Sequence, residues 1–526
     1  MRTRRVIPVL GIVLLTGCSQ HWPMYRHNVL RSGGQINGSD LSNPARVPSL
    51  SVRWTFTVPA ADTVAGANPG FRASPVVYKG RVFIGSGNGR MYALDAATGA
   101  VLWKFPAPPT APLRSQFTCN PSSQGIASSG VIARIGNTDA IIFGAPDQTV
   151  GTTLGEGRLF ALNAATGAVI WRSEVVARLT GLTSGSTSQL HQQIGYSSPV
   201  VYASRVFVGV ADHCDNPIQK GRIVSVRLSD GTIDPAFTFC STGTCGDSTR
   251  GGGVWSGVAV IGDALYATTG NSRFGPTEPS PNHGLSMLRL NSSTGALVWK
   301  FQPVPYALDN DPDWSAGPNV MLASCGQLSV STMKDGWTHA IETGSGTRRW
   351  TFPTASVPFS SGDGTVHGDS RFMRAGAAWG DVFVTMTGGL TVKTNLSSGY
   401  RRLHALNVCA SNADRIRWIV DVPNASGNTY SLGVPTVTRG IVYVGTDLGH
   451  LVAIADPSVH PAVGWRCSNT DVSTANCVAS GYALVPQPSV LANVTLSGSM
   501  VYNETAIADG RLFAATGSGN VYMLRP

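Results

Sequence analysis

The sequence predicts an all-β protein that folds as a single eight-bladed β-propeller of four-stranded antiparallel blades. A pattern of alternating strands and turns recurs along nearly the whole chain. Few segments show the 3.6-residue period of an amphipathic helix. The last repeat also stops one strand short, while a spare strand stands near the N-terminus. A closed ring of repeats explains all three observations.

The repeat is clearest in Ser74–Phe105, SPVVYKGRVFIGSGNGRMYALDAATGAVLWKF. Apolar residues such as Val76 and Tyr78 alternate along its strands, and Gly80 and Gly99 stand in segments typical of turns. An aromatic residue marks the outer strand of each repeat, where we expect it to pack between blades. These marks are Trp54, Trp103, Trp171, Phe239, Trp299, Trp350, Trp418 and Trp465.

Eight such marks predict eight blades. The final repeat, Ala506–Pro526, lacks its outer strand, and Ser51–Phe56 at the other end of the propeller can supply it. A blade built from both ends of the chain closes the ring and removes a free sheet edge.

Residues 1–18 are predicted to be a lipoprotein signal peptide. Three arginines precede the apolar segment Val6–Leu15, which is too short to span a bilayer as a mature helix. Leu15-Thr16-Gly17-Cys18 is similar to a lipobox, in which the cysteine is acylated; an ordinary signal peptide with a chance cysteine is the alternative. By resemblance to known lipoproteins, Ser19 favours the outer membrane, with the protein facing the periplasm.

We therefore expect a signal peptide at 1–18, a leader at 19–49 and the propeller at 50–526, attached to the membrane by the lipid anchor only. The net charge is +10 with 13% charged residues, which is typical of a lightly basic secreted surface. Attraction to anionic lipid or substrate is the alternative. Nucleic acid is not an expected partner, because no basic stripe with interleaved aromatic residues occurs.

Nine cysteines are present. With Cys18 assigned to the lipid, eight remain for an oxidising compartment. Cys240 is close enough in sequence to bridge Cys245, and Cys467 to bridge Cys477. No CxxCH motif occurs, so no attached haem is expected. The pairing of four others stays open: Cys119, Cys214, Cys325 and Cys409.

The repeats resemble those of PQQ-like propellers, and HWPMYRH at His21–His27 resembles the segment that leads into many of them. The third to fifth repeats are similar to quinoprotein alcohol dehydrogenases, especially of the polyvinyl-alcohol dehydrogenase type. GGVWSGVAVIGDALYATTGN at 252–271 resembles the segment VWxxPxxDxxxxxxYxxTGN of that family. DPDWSAGP at 311–318 resembles DxDFGASP, and Lys334-Asp335-Gly336 resembles a KxG turn.

This resemblance implies a cofactor site. Trp255 would form the floor under the PQQ ring, and Asn271 would bind a calcium ion or similar divalent metal. Asp313 would be the catalytic aspartate, also near the metal, with Asp311 as an additional ligand. Lys334 would contact the quinone oxygens.

The residue types suit that chemistry. A hard cation takes carboxylate and amide oxygens as ligands and polarises a quinone carbonyl. A carboxylate can accept the proton of an alcohol, an aromatic face supports a planar ring, and a lysine stabilises negative charge on oxygen. Each residue also has a purely structural explanation: a blade-packing tryptophan, a turn asparagine, solvated loop acids and a surface lysine.

Several positions depart from the family pattern. The adjacent cysteine pair of the family is absent, with Cys214 alone, and Tyr196-Ser197-Ser198 stands where a threonine is common. Gln124, in SSQGIAS, stands where the family often has an arginine that grips a PQQ carboxylate. The calcium-binding glutamate is expected before Gly221, where Asp215 and Asn216 are the nearest candidates and neither aligns cleanly. The part of the site that would bind the PQQ carboxylates therefore lacks residues that the family has there.

The expected function is oxidation of an alcohol, small or polymeric, with PQQ and a divalent metal, followed by electron transfer to a separate acceptor. The alternative is a non-catalytic propeller that binds envelope proteins or acts as a scaffold, as in the lipoprotein of the outer-membrane β-barrel assembly machine. Retained cofactor contacts favour the enzyme, and their loss favours the scaffold.

Overall fold

The computed structural model describes most of the propeller and the leader that precedes it. The described residues are 20–37, 39–63, 68–116, 123–147, 156–177, 192–211, 218, 220–243, 245, 251–271, 283–303, 313–314, 316–334, 337–353, 359–360, 366–367, 375–386, 402–411, 414–422, 432–468, 473–500 and 503–526. Cys18, Cys119 and Cys214 lie outside them, so their predicted roles remain predictions.

Eight four-stranded antiparallel sheets form the blades, which confirms the predicted fold class. Within each blade the first strand lies nearest the axis, where it contacts the first strands of neighbouring blades. Alternate side chains of each strand point to the two faces of the blade, so apolar residues on both faces pack against the adjoining blades.

The strands of the first four blades, from the axis outwards, follow the chain. Blade 1 contains Val76–Tyr78, Arg81–Gly85, Met91–Asp95 and Val101–Phe105; blade 2 contains Val131–Ile135, Thr138–Asp147, Glu156–Asn163 and Val169–Arg172; blade 3 contains Val200–Tyr202, Arg205–Val210, Arg222–Arg227 and Phe239–Cys240; blade 4 contains Ala259–Ile261, Ala264–Thr268, Met287–Asn291 and Leu297–Phe301.

The other four blades continue the ring. Blade 5 contains Asn319–Ala323, Gly326–Thr332, Trp337–Glu342 and Arg348–Pro353; blade 6 contains Ala377–Trp379, Val382–Met386, Arg402–Asn407 and Ile416–Asp421; blade 7 contains Thr436–Val437, Ile441–Gly445, His450–Ala455 and Ser489–Thr495; blade 8 contains Ala506–Ala508, Arg511–Ala515, Asn520–Arg525 and Ser51–Thr57.

Small elements lie in the connections between these strands. Two-stranded hairpins pair Ser115–Gln116 with Ser123–Gln124, Phe359–Ser360 with Val366–His367, and Gly464–Cys467 with Leu484–Gln487; short 3-10 helices occupy Asp40–Ser42, Val47–Ser49, Ala60–Asp62 and Thr474–Asn476. Within the described ranges, no helix has the length and apolar character needed to cross a membrane.

Both ends of the chain meet in blade 8, as predicted. Ser51–Thr57 pairs antiparallel with Asn520–Arg525, with Ser51 opposite Arg525 and Thr57 opposite Asn520. This pairing covers the edge that the C-terminal strand would otherwise leave open, and it closes the ring with backbone hydrogen bonds.

Tryptophans of the outer strands join neighbouring blades. Each one donates its indole N–H to a turn between the third and fourth strands of the next blade. These contacts run from Trp54 to Ala96 O (3.3 Å), Trp103 to Ala164 O (3.2 Å), Trp171 to Leu228 O (2.9 Å), Trp299 to Thr343 O (2.9 Å), Trp350 to Val408 O (2.9 Å) and Trp418 to Asp456 Oδ2 (2.8 Å). The predicted packing between blades is therefore correct for these six.

The prediction for Trp465 is wrong. Trp465 lies in the hairpin strand Gly464–Cys467, outside blade 7, and 62% of its surface is exposed. The outer strand of blade 7 is Ser489–Thr495, which pairs with His450–Ala455. An inserted hairpin separates the third and fourth strands of this blade, so the aromatic residue nearest the expected spacing belongs to the insertion.

Disulfides join Cys240 to Cys245 and Cys467 to Cys477, as predicted. The second of these closes the chain segment that links the two strands of the inserted hairpin. A third disulfide joins Cys325 of blade 5 to Cys409 of blade 6 and resolves one pairing that the sequence left open. It crosslinks two blades.

The first part of the leader, residues 20–37, lies inside the ring and contacts all eight blades. Backbone hydrogen bonds pair it with the inner strands of six blades, at Val77, Ile132, Val260, Val320, Ala378 and Val437. Arg31 Nη2 donates to Ser198 O beside the inner strand of blade 3 at 2.9 Å. For blade 8, Arg26 forms a salt bridge with Glu504 at 2.9 Å.

The repeat topology gives the propeller two distinct ends. One end carries the connections into the inner strands and also the turns between second and third strands, and we call this end the entry face. The turn face carries the remaining turns. The leader begins at the turn face, where the backbone N–H of Gln20 donates to Asp509 Oδ1 at 2.8 Å.

In four of the six tryptophan contacts, a glycine with positive φ in the receiving turn lies against the ring: Gly99, Gly167, Gly231 and Gly346. Gly167 has φ +75°, and a Cβ there would lie 2.7 Å from Trp103 Cδ2. Gly80 has a similar φ of +71° but open space around it. We expect both Gly167→Ala and Gly80→Ala to cost about 1–2 kcal/mol for the left-handed backbone. Gly167→Ala should cost about 1–3 kcal/mol more through the clash. Thermal unfolding of the two variants measures this difference, and equal shifts in Tm would contradict it.

The salt bridge between Arg26 and Glu504 is 1% and 0% exposed. Burial raises the pKa of Glu504, although Arg26 acts in the opposite direction. We expect Arg26→Met and Glu504→Gln each to lower the free energy of unfolding by about 3 kcal/mol, because each leaves a buried partner uncompensated. The double variant should cost less than the sum.

Urea denaturation tests this cycle. Arg46→Met is the matched control, because Arg46 and Asp40 are 3.7 Å apart and 57% and 52% exposed. Its cost should be about 0–1 kcal/mol. Strictly additive costs for the buried pair would show that the interaction itself contributes nothing.

Candidate active site at the entry face

The connections on the entry face bring the predicted site residues together from neighbouring blades. Trp255 precedes the inner strand of blade 4, and Asp313 precedes that of blade 5. Asn271 and Lys334 follow the second strands of the same two blades. All four positions therefore lie at one end of the ring.

Asp313 is the centre of the described site. Trp255 Nε1 donates to Asp313 Oδ2 at 2.8 Å. Lys334 Nζ lies 2.6 Å from Asp313 Oδ1, with the two side chains 16% and 3% exposed. The same ammonium lies 5.5 Å from the centroid of the Trp255 ring. A cation, an aromatic ring and a carboxylate thus form one cluster, and both carboxylate oxygens accept charge-stabilising contacts.

Asn271 stands at the edge of this cluster. It is 2% exposed, and its backbone carbonyl oxygen accepts the N–H of Gly252 at 2.7 Å. A Cβ at the preceding residue, Gly270, would lie 3.3 Å from Asp313 Oδ2 and 3.4 Å from Trp255 Cδ1. Glycine at 270 therefore lets this turn approach the aspartate closely.

The leader supports the segment that carries Trp255. Arg31 Nε donates to Val258 O at 2.8 Å. A Cβ at Gly257 would lie 3.3 Å from Arg31 Nη2, so the guanidinium packs directly against this segment. Arg31 is 2% exposed. The sequence analysis missed this role, because Arg31 is more than 200 residues away along the chain.

Gln124 lies away from this cluster, on the part of the entry face that blades 1 to 3 form. It precedes the inner strand of blade 2. It is 4% exposed, and within the described residues neither its Oε1 nor its Nε2 has a hydrogen-bond partner. It borders two small cavities of about 20 Å³ each. Arg72 lines one of them, and Arg72 Nη1 donates to Tyr196 Oη at 2.6 Å.

Hydrogen bonds connect the two sides of the face. Ser197, next to Tyr196, donates from Oγ to Ser256 O at 3.2 Å, and Ser256 follows Trp255. The segment with Tyr196 is therefore adjacent to the segment with Trp255. Sequence reasoning gave no role to Arg72, and it named Tyr196 only within Tyr196-Ser197-Ser198, a segment where the resembled family commonly has a threonine.

A buried histidine, His339, packs against Trp314, the residue that follows Asp313. The rings of His339 and Trp314 have centroids 5.5 Å apart. Burial lowers the pKa of His339 to about 3. His339 is neutral near pH 7 and packs as an aromatic residue, which leaves Asp313 as the base candidate in the cluster.

Two predicted metal ligands, Asp215 and Asp311, lie outside the described residues. In the part of the chain that is described, no three His, Cys, Asp or Glu side chains are gathered as they would be around a metal ion. Asp313 and Asn271 are the oxygen donors of the predicted set whose surroundings are described.

The described residues fit one half of the expected cofactor. Trp255 offers an aromatic face, Lys334 a cation for anionic oxygens, and Asp313 with Asn271 oxygen donors for a hard metal ion. On the other side, Gln124 offers a neutral amide with unsatisfied donor and acceptor atoms in place of a cation.

Burial should make the Lys334–Asp313 pair important for stability. We expect Lys334→Met to lower the free energy of unfolding by about 3 kcal/mol, because Asp313 is 3% exposed. Lys79→Met is the control: its pair with Asp139 has a similar distance of 2.7 Å, but the two side chains are 56% and 24% exposed. That substitution should cost about 0–1 kcal/mol. Equal costs in urea denaturation would contradict the assignment.

The chain is similar to quinone-dependent dehydrogenases over part of their length. It is 26% identical to the quinohemoprotein alcohol dehydrogenase ADH IIB of Pseudomonas putida, over 54% of this chain and 39% of that protein. It is 23% identical to the dehydrogenase subunit of the alcohol dehydrogenase (quinone) of Gluconobacter oxydans, over 51% of this chain and 35% of that subunit. These alignments thus span less than half of each relative.

Solved structures agree in fold. The quinohemoprotein alcohol dehydrogenase of Comamonas testosteroni superposes with a TM-score of 0.65 and 15% identity, over 96% of this chain and 80% of that one. The family model for the β-propeller domain of PQQ-type glucose/ethanol/alcohol dehydrogenases matches residues 22–364, more than half of the chain. The chain therefore belongs to the PQQ-type glucose/ethanol/alcohol dehydrogenase β-propeller family.

Proposed function

We propose that the protein is a PQQ-dependent dehydrogenase that oxidises an alcohol. The observation that carries this proposal is the cluster of Trp255, Asp313 and Lys334, which come from two blades and meet around one buried carboxylate. Fold alone does not determine function, so the proposal rests on these side chains.

Asp313 is the proposed base. Lys334 at Oδ1 and Trp255 at Oδ2 stabilise the ionised carboxylate, which is the form that can accept the hydroxyl proton of an alcohol. When bound, PQQ would supply the two-electron oxidant that a protein side chain cannot provide. Trp255 would support its ring and Lys334 its quinone oxygens.

A calcium ion or similar divalent metal would be held by Asp313 and Asn271, with Asp311 and Asp215 as the other candidate ligands. The substrate is an alcohol, small or polymeric. Electrons would pass to a separate acceptor.

We further propose that Cys18 carries a lipid that anchors the protein to the outer membrane. Two residues later, Gln20 is bonded to Asp509 at the turn face. A lipid at Cys18 would therefore hold the turn face towards the membrane. The entry face, with Asp313, would then open to the periplasm, where substrate and electron acceptor can reach it.

The test is reconstitution of the purified protein with PQQ and calcium. We expect a quinone absorbance that remains after gel filtration, and oxidation of an alcohol with an artificial electron acceptor. Asp313→Asn should retain the absorbance but lose about 10²–10⁴-fold in turnover, the range for a general base. Asp139→Asn, in a partly exposed pair on the turn face, should leave both properties unchanged.

A wild-type protein that neither retains PQQ nor oxidises any alcohol would overturn the proposed dehydrogenase function. In that case the non-catalytic envelope scaffold would be the better explanation, and its partners would be other envelope proteins. Full turnover in Asp313→Asn would instead remove Asp313 from the catalytic role.

A further inference from the structure

We propose that Arg72 is the cationic residue that binds a carboxylate of the cofactor, in place of the arginine that Gln124 replaces. This inference rests on the proposed function, because it names the residue that would grip PQQ on the side of the site where the sequence looks eroded. It follows from the positions of Arg72, Gln124 and Tyr196.

Arg72 and Gln124 line the same cavity although they belong to different blades. Arg72 precedes the inner strand of blade 1, and Gln124 precedes that of blade 2. The Gln124 amide is buried and, among the described residues, has no hydrogen-bond partner at either polar atom. A buried amide with both functions unsatisfied is costly, which indicates that it contacts a polar group of a ligand.

The guanidinium of Arg72 reaches across blade 2. Its Nη1 donates to Tyr196 Oη, which precedes the inner strand of blade 3, at 2.6 Å. This contact joins the connection into blade 1 to the connection into blade 3, both at the entry face. Tyr196 accepts this hydrogen bond and so positions the guanidinium, a group that carries five N–H donors in a planar fork.

The segment around Arg72 is rigidly held. Phe71 is fully buried, and its N–H donates to Thr516 O at 3.0 Å. The carbonyl of Ala73 accepts from Asn503 Nδ2 at 2.7 Å. Both neighbours of Arg72 are thus fixed to blade 8, so the side chain extends from an ordered backbone. A preorganised cation binds an anion with less loss of entropy than a mobile one.

The same face links Arg72 to the catalytic cluster. Tyr196 is followed by Ser197, which bonds to Ser256 beside Trp255. The segment that holds the partner of Arg72 is therefore bonded at the entry face to the segment that carries Trp255. A planar aromatic polycarboxylate such as PQQ has the chemistry for this arrangement: a ring for Trp255 and carboxylates for an arginine, which can bind them in bidentate fashion.

Binding of two probes tests the proposal without using turnover. PQQ and pyridine-2,6-dicarboxylate are titrated separately into the intact protein in calcium-containing buffer, and Kd is measured by quenching of tryptophan fluorescence. We expect Arg72→Gln to weaken both probes by about ten- to a hundredfold, as expected for one lost charge-assisted contact. Arg72→Lys should lose less, because it retains the charge.

Two other variants sharpen the result. Arg53→Gln removes an exposed arginine on the outer strand of blade 8 and should leave both Kd values unchanged. Gln124→Arg in the Arg72→Gln background should restore binding, because the two residues line one cavity. Far-UV circular dichroism and Tm establish that each variant is folded.

The outcomes separate this inference from the proposed function. If the wild-type protein binds the dicarboxylate but not PQQ, and Arg72→Gln abolishes that binding, Arg72 is an anion-binding residue and the dehydrogenase proposal fails. If the wild-type protein binds PQQ and folded Arg72→Gln and Arg72→Lys bind it equally well, the assignment of Arg72 is wrong. A wild-type protein that binds neither probe would overturn both.

Discussion

The propeller depends on satisfying the hydrogen-bonding groups that its inner strands turn towards the axis. A ring of eight blades leaves eight inner strand edges without a neighbouring strand, and buried N–H and C=O groups without partners are costly. The leader solves this problem by winding around the axis and pairing its backbone with six blades. Arg31 and Arg26 extend these contacts to blades 3 and 8. Arg31 also donates to Val258 O. The leader that fills the ring therefore also supports the segment that carries Trp255.

Much of this architecture could be predicted from the sequence, because each blade repeats the same local signals. Alternating apolar residues define strands, and in four blades a glycine-containing turn receives the tryptophan of the preceding blade, as at Gly167 and Trp103. The prediction failed at Trp465, where an insertion carries an aromatic residue at a plausible spacing. The leader's partners could not be predicted, since Arg26 and Glu504 are separated by 478 residues and share no pattern. Local periodicity specifies a blade but not what fills the ring.

The candidate site shows the same contrast between local patterns, which the sequence reveals, and contacts between distant residues, which it does not. Trp255, Asp313 and Lys334 could be found because they belong to motifs in consecutive repeats, and consecutive repeats become adjacent blades. Their meeting at one carboxylate is therefore a consequence of chain order. Arg72 and Tyr196 come from blades 1 and 3, so their contact skips a blade and has no signal in the order of motifs. The sequence analysis identified Gln124 as a departure from the family pattern. The residue that makes up for it, by our proposal, could be identified only from the cavity that both residues line.

These relations suggest why a neutral residue can be tolerated at position 124. All the connections into the inner strands converge on the entry face, so several backbones lie at similar distances from the axis. A long, flexible side chain from one blade can then replace a side chain lost from its neighbour, provided that its backbone is fixed. Arg72 meets this condition through Phe71 and Ala73, which are bonded to blade 8. Asp313 cannot be replaced in this way, because its two oxygens are held separately by Trp255 and Lys334. By our proposals, the geometry thus permits substitution where a ligand's charge is to be balanced and restricts it where a proton is to be accepted at one atom.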